Sequence, residues 1–377
     1  MNEIKGDLKR KIVILTLTEN CNLDCIYCFE KAKTKKLMNI DVAKKAIAFE
    51  FQNSEGFDEI EIDLFGGEPT LCIDTIQEII EWTNAQCFQK PYLFFLDTNG
   101  TLVHGKFQDW LCRNKEFVWA GLSLDGTPET HNKNRSNSYN KIDIDFFLRT
   151  YPKQPVRMTI YNDTLKNLSN DIIHLHNLGF AEVVATFAYG IDWELNDLNL
   201  YLKNELQILC DFYLANPQIK ECSIFNLHLP NILSKDKKVT KWCGTGTSMV
   251  SYGIDGTKYP CQTFQQNTTL NKKAITLDEI DFNSIADFSD TECTNCMIEP
   301  ICPNCYGMNY VKEGNILKRD KQLCEIVKIR ALAISYLKAK QIQINIEKMK
   351  PNEAYQTIKA INIIQNNLTT LKEKCYE

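Results

Sequence analysis

The spacing of apolar positions changes repeatedly along the first 190 or so residues. Lys11–Thr18 (KIVILTLT) is an apolar run of strand length, dense enough to be buried on both faces. Asp41 then caps a predicted helix that runs to about Phe51. Ile60, Ile62 and Leu64 alternate as a strand does until Gly66-Gly67 stops them, and Ile76, Ile79 and Ile80 follow at helical spacing. Tyr92–Leu96 and Phe117–Leu124 read as the next strands, ended by Asp97-Thr98-Asn99-Gly100 and by Asp125-Gly126. Val156–Tyr161 and Glu182–Phe187 are two more, with helices predicted over Asp143–Thr150 and Leu168–Leu178. Six β-then-α units predict an α/β fold with a parallel sheet and helices outside it. Periodicity alone does not choose between a partial barrel and a doubly wound sheet. In either, ligands bind beyond the C-terminal ends of the strands.

The pattern changes after about Pro230. Met249–Tyr259 (MVSYGIDGTKY) reads as a hairpin with Asp255-Gly256 at its turn. A cysteine-rich, loop-rich stretch runs on to Cys324, and two helices separated by Pro351 finish the sequence. This divides the chain into a core over 1–230, a small cysteine-rich domain over 231–325 and a helical extension over 326–377.

Composition narrows the function. Of 377 residues, 44% are apolar and 24% charged, enough to build packed cores. The net charge of −5 gives no electrostatic footprint for nucleic acid, and the run Lys31-Ala-Lys33-Thr-Lys35-Lys36 reads as a solvated loop. No apolar run is long enough to span a bilayer and the start (MNEIKGDLKRK) is polar, so a cytoplasmic protein without membrane contact is expected. Sixteen cysteines are many. In a reducing compartment metal binding explains them better than disulfides do. Cys72, Cys87, Cys112, Cys210, Cys222 and Cys375 are scattered and read as small hydrophobes.

The others are clustered. Cys21-x3-Cys25-x2-Cys28 occupies the loop after the first strand. Three thiolates can hold three irons of a cubane and leave the fourth open to another ligand. A structural zinc site would need four closed ligands. In Gly66-Gly67-Glu68-Pro69 the glycines allow close backbone approach, and Glu68 offers acceptors to an ammonium group. Thr98 and Asn99 are weighed equally as pocket lining and as a polar turn, and His131 is read as a surface residue.

The segment CNLDCIYC, with Tyr27 before its last cysteine, resembles the signature of the radical S-adenosylmethionine (SAM) superfamily. The resemblance implies a partial (β/α)6 TIM-like barrel. It implies a [4Fe–4S] cluster on Cys21, Cys25 and Cys28 whose open iron chelates SAM. It also implies reductive cleavage of SAM to a 5′-deoxyadenosyl radical that abstracts hydrogen from substrate. The motif Gly66-Gly67-Glu68-Pro69 is similar to the family's contact with the SAM amino group. Ser123 and Asp125 resemble its ribose contacts, and Arg135 its partner for the SAM carboxylate, for which a guanidinium is suited.

Seven further cysteines closely resemble the SPASM domain, the auxiliary-cluster domain of radical SAM enzymes that modify peptides and proteins. That resemblance implies one cluster on Cys243, Cys261 and Cys305, and another on Cys293, Cys296, Cys302 and Cys324, making three [4Fe–4S] clusters in all. The fourth iron of the first auxiliary cluster is expected to be open to substrate, with Cys222 as the alternative ligand. Cys302 and Cys305 stand one residue closer than the family's spacing, which puts the assignment of Cys305 in doubt. A reductant of the flavodoxin or ferredoxin kind is implied as a partner, with a peptide or protein as substrate.

The expected activity is maturation of a ribosomally made peptide by thioether or carbon–carbon crosslinking. One alternative is the anaerobic sulfatase-maturing enzyme, which makes formylglycine. Its family carries an acidic base directly after the GxxxxC cysteine, and here that position is Gln262, which cannot remove a proton. A small-molecule dehydrogenase would have a shorter auxiliary domain. A non-catalytic iron–sulfur or zinc protein would have no use for the SAM-contacting residues. Only about ten residues precede the first strand, too few for a leader-binding domain. The spacing names no general base.

Overall fold

The computed structural model describes residues 9–233, 243–270, 280–284, 290–345, 347 and 350–367. The polar start up to Leu8, and Cys375, lie outside them. The chain divides into two compact units. One comprises Met1–Leu124, His131–Arg157 and Cys243–Asn283, and the other Asp125–Thr130, Met158–Trp242 and Ser284–Glu377.

The first unit is built on six strands: β1 (Arg10–Thr18), β2 (Glu59–Gly66), β3 (Tyr92–Thr98), β4 (Val118–Leu122), β7 (Met249–Tyr252) and β8 (Lys258–Tyr259). Their order is β4-β3-β2-β1-β7-β8. β1 pairs in parallel with both β2 and β7, through Ile14↔Asp63 and Ile14↔Ser251. The helices α1 (Ile40–Gln52), α2 (Ile73–Ala85) and α3 (Lys106–Asn114) follow the first three strands. This is the α/β class that the alternation predicts. Val13, Leu15 and Leu17 of β1 are buried with Ile60, Ile62 and Leu64 of β2, and so are Ala43, Ile47, Ile76 and Ile79 of the helices. Each of these valine, leucine and isoleucine side chains contributes about 1.5–3 kcal/mol by leaving water.

Asn39, not Asp41, caps α1: its side-chain oxygen accepts from Asp41 N at 2.8 Å. Both residues are good cap formers, and the helix begins two residues earlier than the sequence suggests.

β7 and β8 form the expected hairpin, with Ser251 opposite Tyr259 and a tight turn over Gly253–Thr257. Its partner strand is β1, so the hairpin belongs to the parallel sheet. A buried ion group ties it there. Glu50 of α1 meets Lys11 at 2.5 Å and Lys258 at 2.6 Å, and accepts a hydrogen bond from the Tyr252 hydroxyl.

In the second unit, β6 (Val183–Phe187) pairs with β5 (Val156–Ile160), whose last three residues belong to this unit. The same unit contains the helices Leu168–Leu178, Lys203–Ala215, Tyr306–Glu313, Lys321–Asn345 and Pro351–Asn366. Pro351 starts the last helix, where its missing N–H costs nothing. No helix of the described residues is long and apolar enough to cross a membrane.

Candidate functional site

Three loops follow β1, β2 and β3 at the same edge of the parallel sheet. The first carries Cys21, Cys25 and Cys28, all partly exposed. Its backbone closes a turn through Cys28 N to Cys25 O at 3.0 Å, and Leu23 N donates to the Cys21 sulfur at 3.4 Å. The second carries Gly66-Gly67-Glu68-Pro69. Gly67 N donates to Thr18 O and Glu68 N to Asn20 O, each at 2.9 Å. A Cβ on Gly67 would stand 2.3 Å from Asn20 O and 3.1 Å from the Cys21 Cβ. Gly66 has φ +142°, and its Cβ would fall 2.2 Å from Thr18 O. The glycines are needed because two backbones touch here.

Glu68 is buried, and its carboxylate is engaged within the protein. Oε1 accepts from Thr70 N, Thr70 Oγ1 and Thr98 Oγ1, and Oε2 accepts from Asn99 N at 2.8 Å. Burial raises its pKa, against those donors. Glu68 therefore braces the second loop against the third, and Oε2 accepts one hydrogen bond where a carboxylate oxygen can take two. Thr98 and Asn99 belong to the same brace. Asn99 Nδ2 donates to Asn22 Oδ1 at 2.9 Å, and Asn22 Nδ2 to Thr101 Oγ1 at 2.8 Å. Asn22, inside the cysteine loop, and Thr101 are participants that sequence reading missed. They lie far apart along the chain and carry no motif.

Tyr27 and Arg135 come together, with the guanidinium 5.5 Å from the ring centroid and Arg135 buried. The neighbouring backbone is tied to the cysteine loop through Ile26 N to Asn134 O and Asp24 N to Ser136 Oγ. His131, expected at the surface, is fully buried. Its Nε2 lies 2.9 Å from Ser138 Oγ and its ring packs edge-on to Tyr139. A short polar helix gives no periodicity from which its inner face could have been read.

Lys33 also differs from expectation. Its Nζ donates to Leu23 O at 3.1 Å and its charge acts on Cys28, Cys21 and Cys25. It is thus a counter-charge to the cysteine loop and not only a solvated residue. Burial pushes the Cys21 thiol up to about 11, with the Leu23 N–H opposing.

Ser123 N donates to Thr98 O at the end of β3, so Ser123 sits beside the third loop. Asp125, in the second unit, is fully buried and accepts from Thr159 N at 3.0 Å. Beside it, Asp171 accepts from Thr127 N and Oγ1 and from Asn167 Nδ2, fixing the turn at Gly126.

The other cysteines fall in both units. Cys243 and Cys261 belong to the first. Gly246 N is shared between Met249 O and Pro260 O, which brings the segment after Cys243 beside the residue before Cys261. The Gln262 amide follows Cys261 in a short helical turn. In the second unit burial pushes the thiols of Cys293, Cys302 and Cys324 up, and charge on one another and on Cys296 adds to the rise. Cys305 immediately precedes the helix Tyr306–Glu313, with no capping hydrogen bond from its side chain. Cys222 is fully buried in the second unit, with its N–H on the Tyr213 hydroxyl at 2.9 Å, as a core residue would be.

Among the described residues every cysteine is a thiol and not a disulfide. No three His, Cys, Asp or Glu side chains among them converge as ligands of one metal ion do. A cubane does not ask for that convergence, since its thiolates sit on separate irons. The cysteine loop fits such a cluster in its chemistry: an all-thiol donor set, an N–H directed at Cys21 and a cation alongside.

Comparison with known proteins agrees. Residues 15–149 match the radical SAM superfamily. A cysteine-type anaerobic sulfatase-maturating enzyme of Clostridium novyi is 30% identical over 176 residues, which is 43% of this chain and 45% of that one. A radical SAM cyclopropyl synthase, TigE, of Paramaledivibacter caminithermalis is 23% identical over 370 residues, 87% of this chain and 75% of that one. The solved structure of native anSMEcpe with bound AdoMet and the Cp18Cys peptide shares the fold, with a TM-score of 0.68 at 20% identity, covering 89% of this chain and 99% of that one.

Proposed function

We propose that this chain is a radical SAM enzyme that uses a [4Fe–4S] cluster and SAM, and that it is a maturase acting on a peptidyl residue, crosslinking a ribosomally made peptide through a thioether or carbon–carbon bond. The observation that carries this reading is the joining of the cysteine loop to the Gly66-Gly67-Glu68-Pro69 loop by paired backbone hydrogen bonds, with Arg135 and Tyr27 against the same loop. When bound, the cluster and SAM would supply one-electron chemistry that ends in hydrogen abstraction. Cys21, Cys25 and Cys28 would hold the cluster and leave one iron for SAM. Gly66 and Gly67 would present backbone to the SAM amino group, Glu68 its remaining acceptor, and Arg135 a charge to the carboxylate. Pro69 would fix the turn, and Ser123 and Asp125 would serve the ribose.

The SPASM-like cysteines would carry two more clusters, on Cys243, Cys261 and Cys305 and on Cys293, Cys296, Cys302 and Cys324. These would take up the second electron or anchor the substrate. A flavodoxin- or ferredoxin-type protein would supply the first electron. Formylglycine formation is the weaker reading, because Gln262 stands where a carboxylate base is required. The peptide bound in the sulfatase-maturating structure supports a peptide substrate.

The test is anaerobic reconstitution with iron and sulfide, followed by dithionite and SAM. The expected result is about twelve irons per chain, as three cubanes carry, and formation of 5′-deoxyadenosine that Cys21→Ala/Cys25→Ala/Cys28→Ala abolishes. Zinc in place of iron, or no SAM cleavage, would sink the reading.

A further inference from the structure

Arg319 has no role in anything described so far, yet it is one of the most deeply buried cations of the second unit, with its side chain 6% exposed. A buried guanidinium must find acceptors for its donors. Nη1 donates to Cys302 O at 3.2 Å, and Nη2 lies 3.6 Å from Glu299 Oε1. The backbone N–H is held by Asp290 Oδ2 at 2.9 Å, and Asp290 Oδ1 caps the turn leading into Cys293. Nε is buried and has no hydrogen-bond partner among the described residues. After burial, the groups that act most strongly on the Arg319 charge are Cys302, Cys293, Glu299 and Cys324. Three of those four are cysteines. A fixed cation with an unsatisfied N–H has therefore been buried against a group of thiols, and Glu299 offsets only part of its charge.

We propose that Arg319 is a charge-balancing and positioning residue for an iron–sulfur cluster held by Cys293, Cys296, Cys302 and Cys324, offering Nε–H to its sulfurs and raising its reduction potential. The inference rests on the reading of those four cysteines as a cluster site. A cube ligated by four thiolates is an anion whose negative charge grows by one on reduction. A buried cation and an N–H···S bond therefore stabilise the reduced state more than the oxidised one. Burial makes the effect large and insensitive to salt. Arginine suits the place because its planar fork can hold the Cys302 carbonyl and Glu299 while a further N–H points elsewhere.

The experiment is a potentiometric titration followed by electron paramagnetic resonance on the full chain, in a Cys21→Ala/Cys25→Ala/Cys28→Ala background that removes the SAM cluster's signal. Arg319→Gln removes the charge and Arg319→Lys keeps it without the fork. The expected result is a lower midpoint for one of the remaining clusters in Arg319→Gln, an intermediate one in Arg319→Lys, and unchanged iron content. Unchanged midpoints in both variants with iron retained overturn the proposal, because Arg319 would then only tie Asp290, Glu299 and Cys302 together. If Arg319→Gln loses iron and Arg319→Lys keeps it, the lysine variant decides: a lowered midpoint supports the proposal and an unchanged one overturns it. Loss of iron from both variants overturns it as well, since the residue would then serve assembly. Cys302→Ser in the same background separates the two levels. If it loses no iron, the four-cysteine cluster itself falls. If it loses iron while the arginine variants keep theirs at unshifted midpoints, only the role of Arg319 falls.

Discussion

The cysteine loop after β1 and the cysteine turns between Asp290 and Cys324 are built in different ways for related chemistry. The first rests on a parallel sheet with a deep aliphatic core, and two neighbouring loops are hydrogen-bonded to it. Its counter-charge, Lys33, keeps 24% of its side chain in water. The second is made of short turns ahead of the helices Tyr306–Glu313 and Lys321–Asn345, and its counter-charge, Arg319, is 6% exposed. The contrast teaches that sheet packing orders the first site, whereas the second is ordered by short turns and by the Asp290 and Arg319 hydrogen bonds. On the proposed reading, the more open site would hold the cluster that admits SAM, and the closed one an auxiliary cluster.

The largest effect that could break this contrast is metal removal. After iron is chelated, amides of Thr291–Cys305 should exchange with deuterium more than about tenfold faster, while those of Ile60–Leu64 should barely change. Equal acceleration in both would remove the distinction.

The next effect concerns the hairpin that brings Cys243 and Cys261 onto the sheet. Burial alone would raise the Glu50 carboxyl, but Lys11, Lys258 and the Tyr252 hydroxyl hold it below its ordinary value. Glu50→Ala leaves buried Lys11 unpaired and should destabilise the chain by about 3–5 kcal/mol in denaturant unfolding. A carboxyl lowered in the folded state contributes stability above its unfolded pKa and loses it as pH falls through the folded one. Glu50→Gln should accordingly flatten the acid limb of the stability profile. A loss under about 1 kcal/mol for Glu50→Ala would mean that the hairpin is held by its strand pairing with β1 alone.

The smallest effect sharpens the comparison of the two cations. Lys33→Met should lower the midpoint of the SAM cluster, and the shift should shrink by about half between low salt and 1 M salt, because an exposed charge is screened. The Arg319→Gln shift should be the same in both. A Lys33 effect that salt leaves untouched would place that cation inside the site.

Much of the fold is legible in the sequence because its strands are apolar in a way only strands use. KIVILTLT and the alternation of Ile60, Ile62 and Leu64 fall on β1 and β2, and Leu168–Leu178 is a helix at those residues. The cysteine and glycine motifs are legible because few residue types do their chemistry. The supporting groups are not. Asn22, Thr101, Lys33, Glu50 and Arg319 are ordinary polar residues whose partners lie on other loops or elements, and long-range polar pairing leaves no period to read. For the same reason His131 passes for a surface residue, and the hairpin at Met249 gives no sign that its partner strand is β1.

Gly67 carries a consequence of another kind. Because its missing side chain lets the glycine loop and the cysteine loop share one set of backbone hydrogen bonds, neither loop can settle into place alone. On the proposed reading, iron captured on one side and SAM captured on the other would then be linked ligands. Whatever free energy the first spends on ordering the shared backbone is spared the second, by an equal amount whichever arrives first.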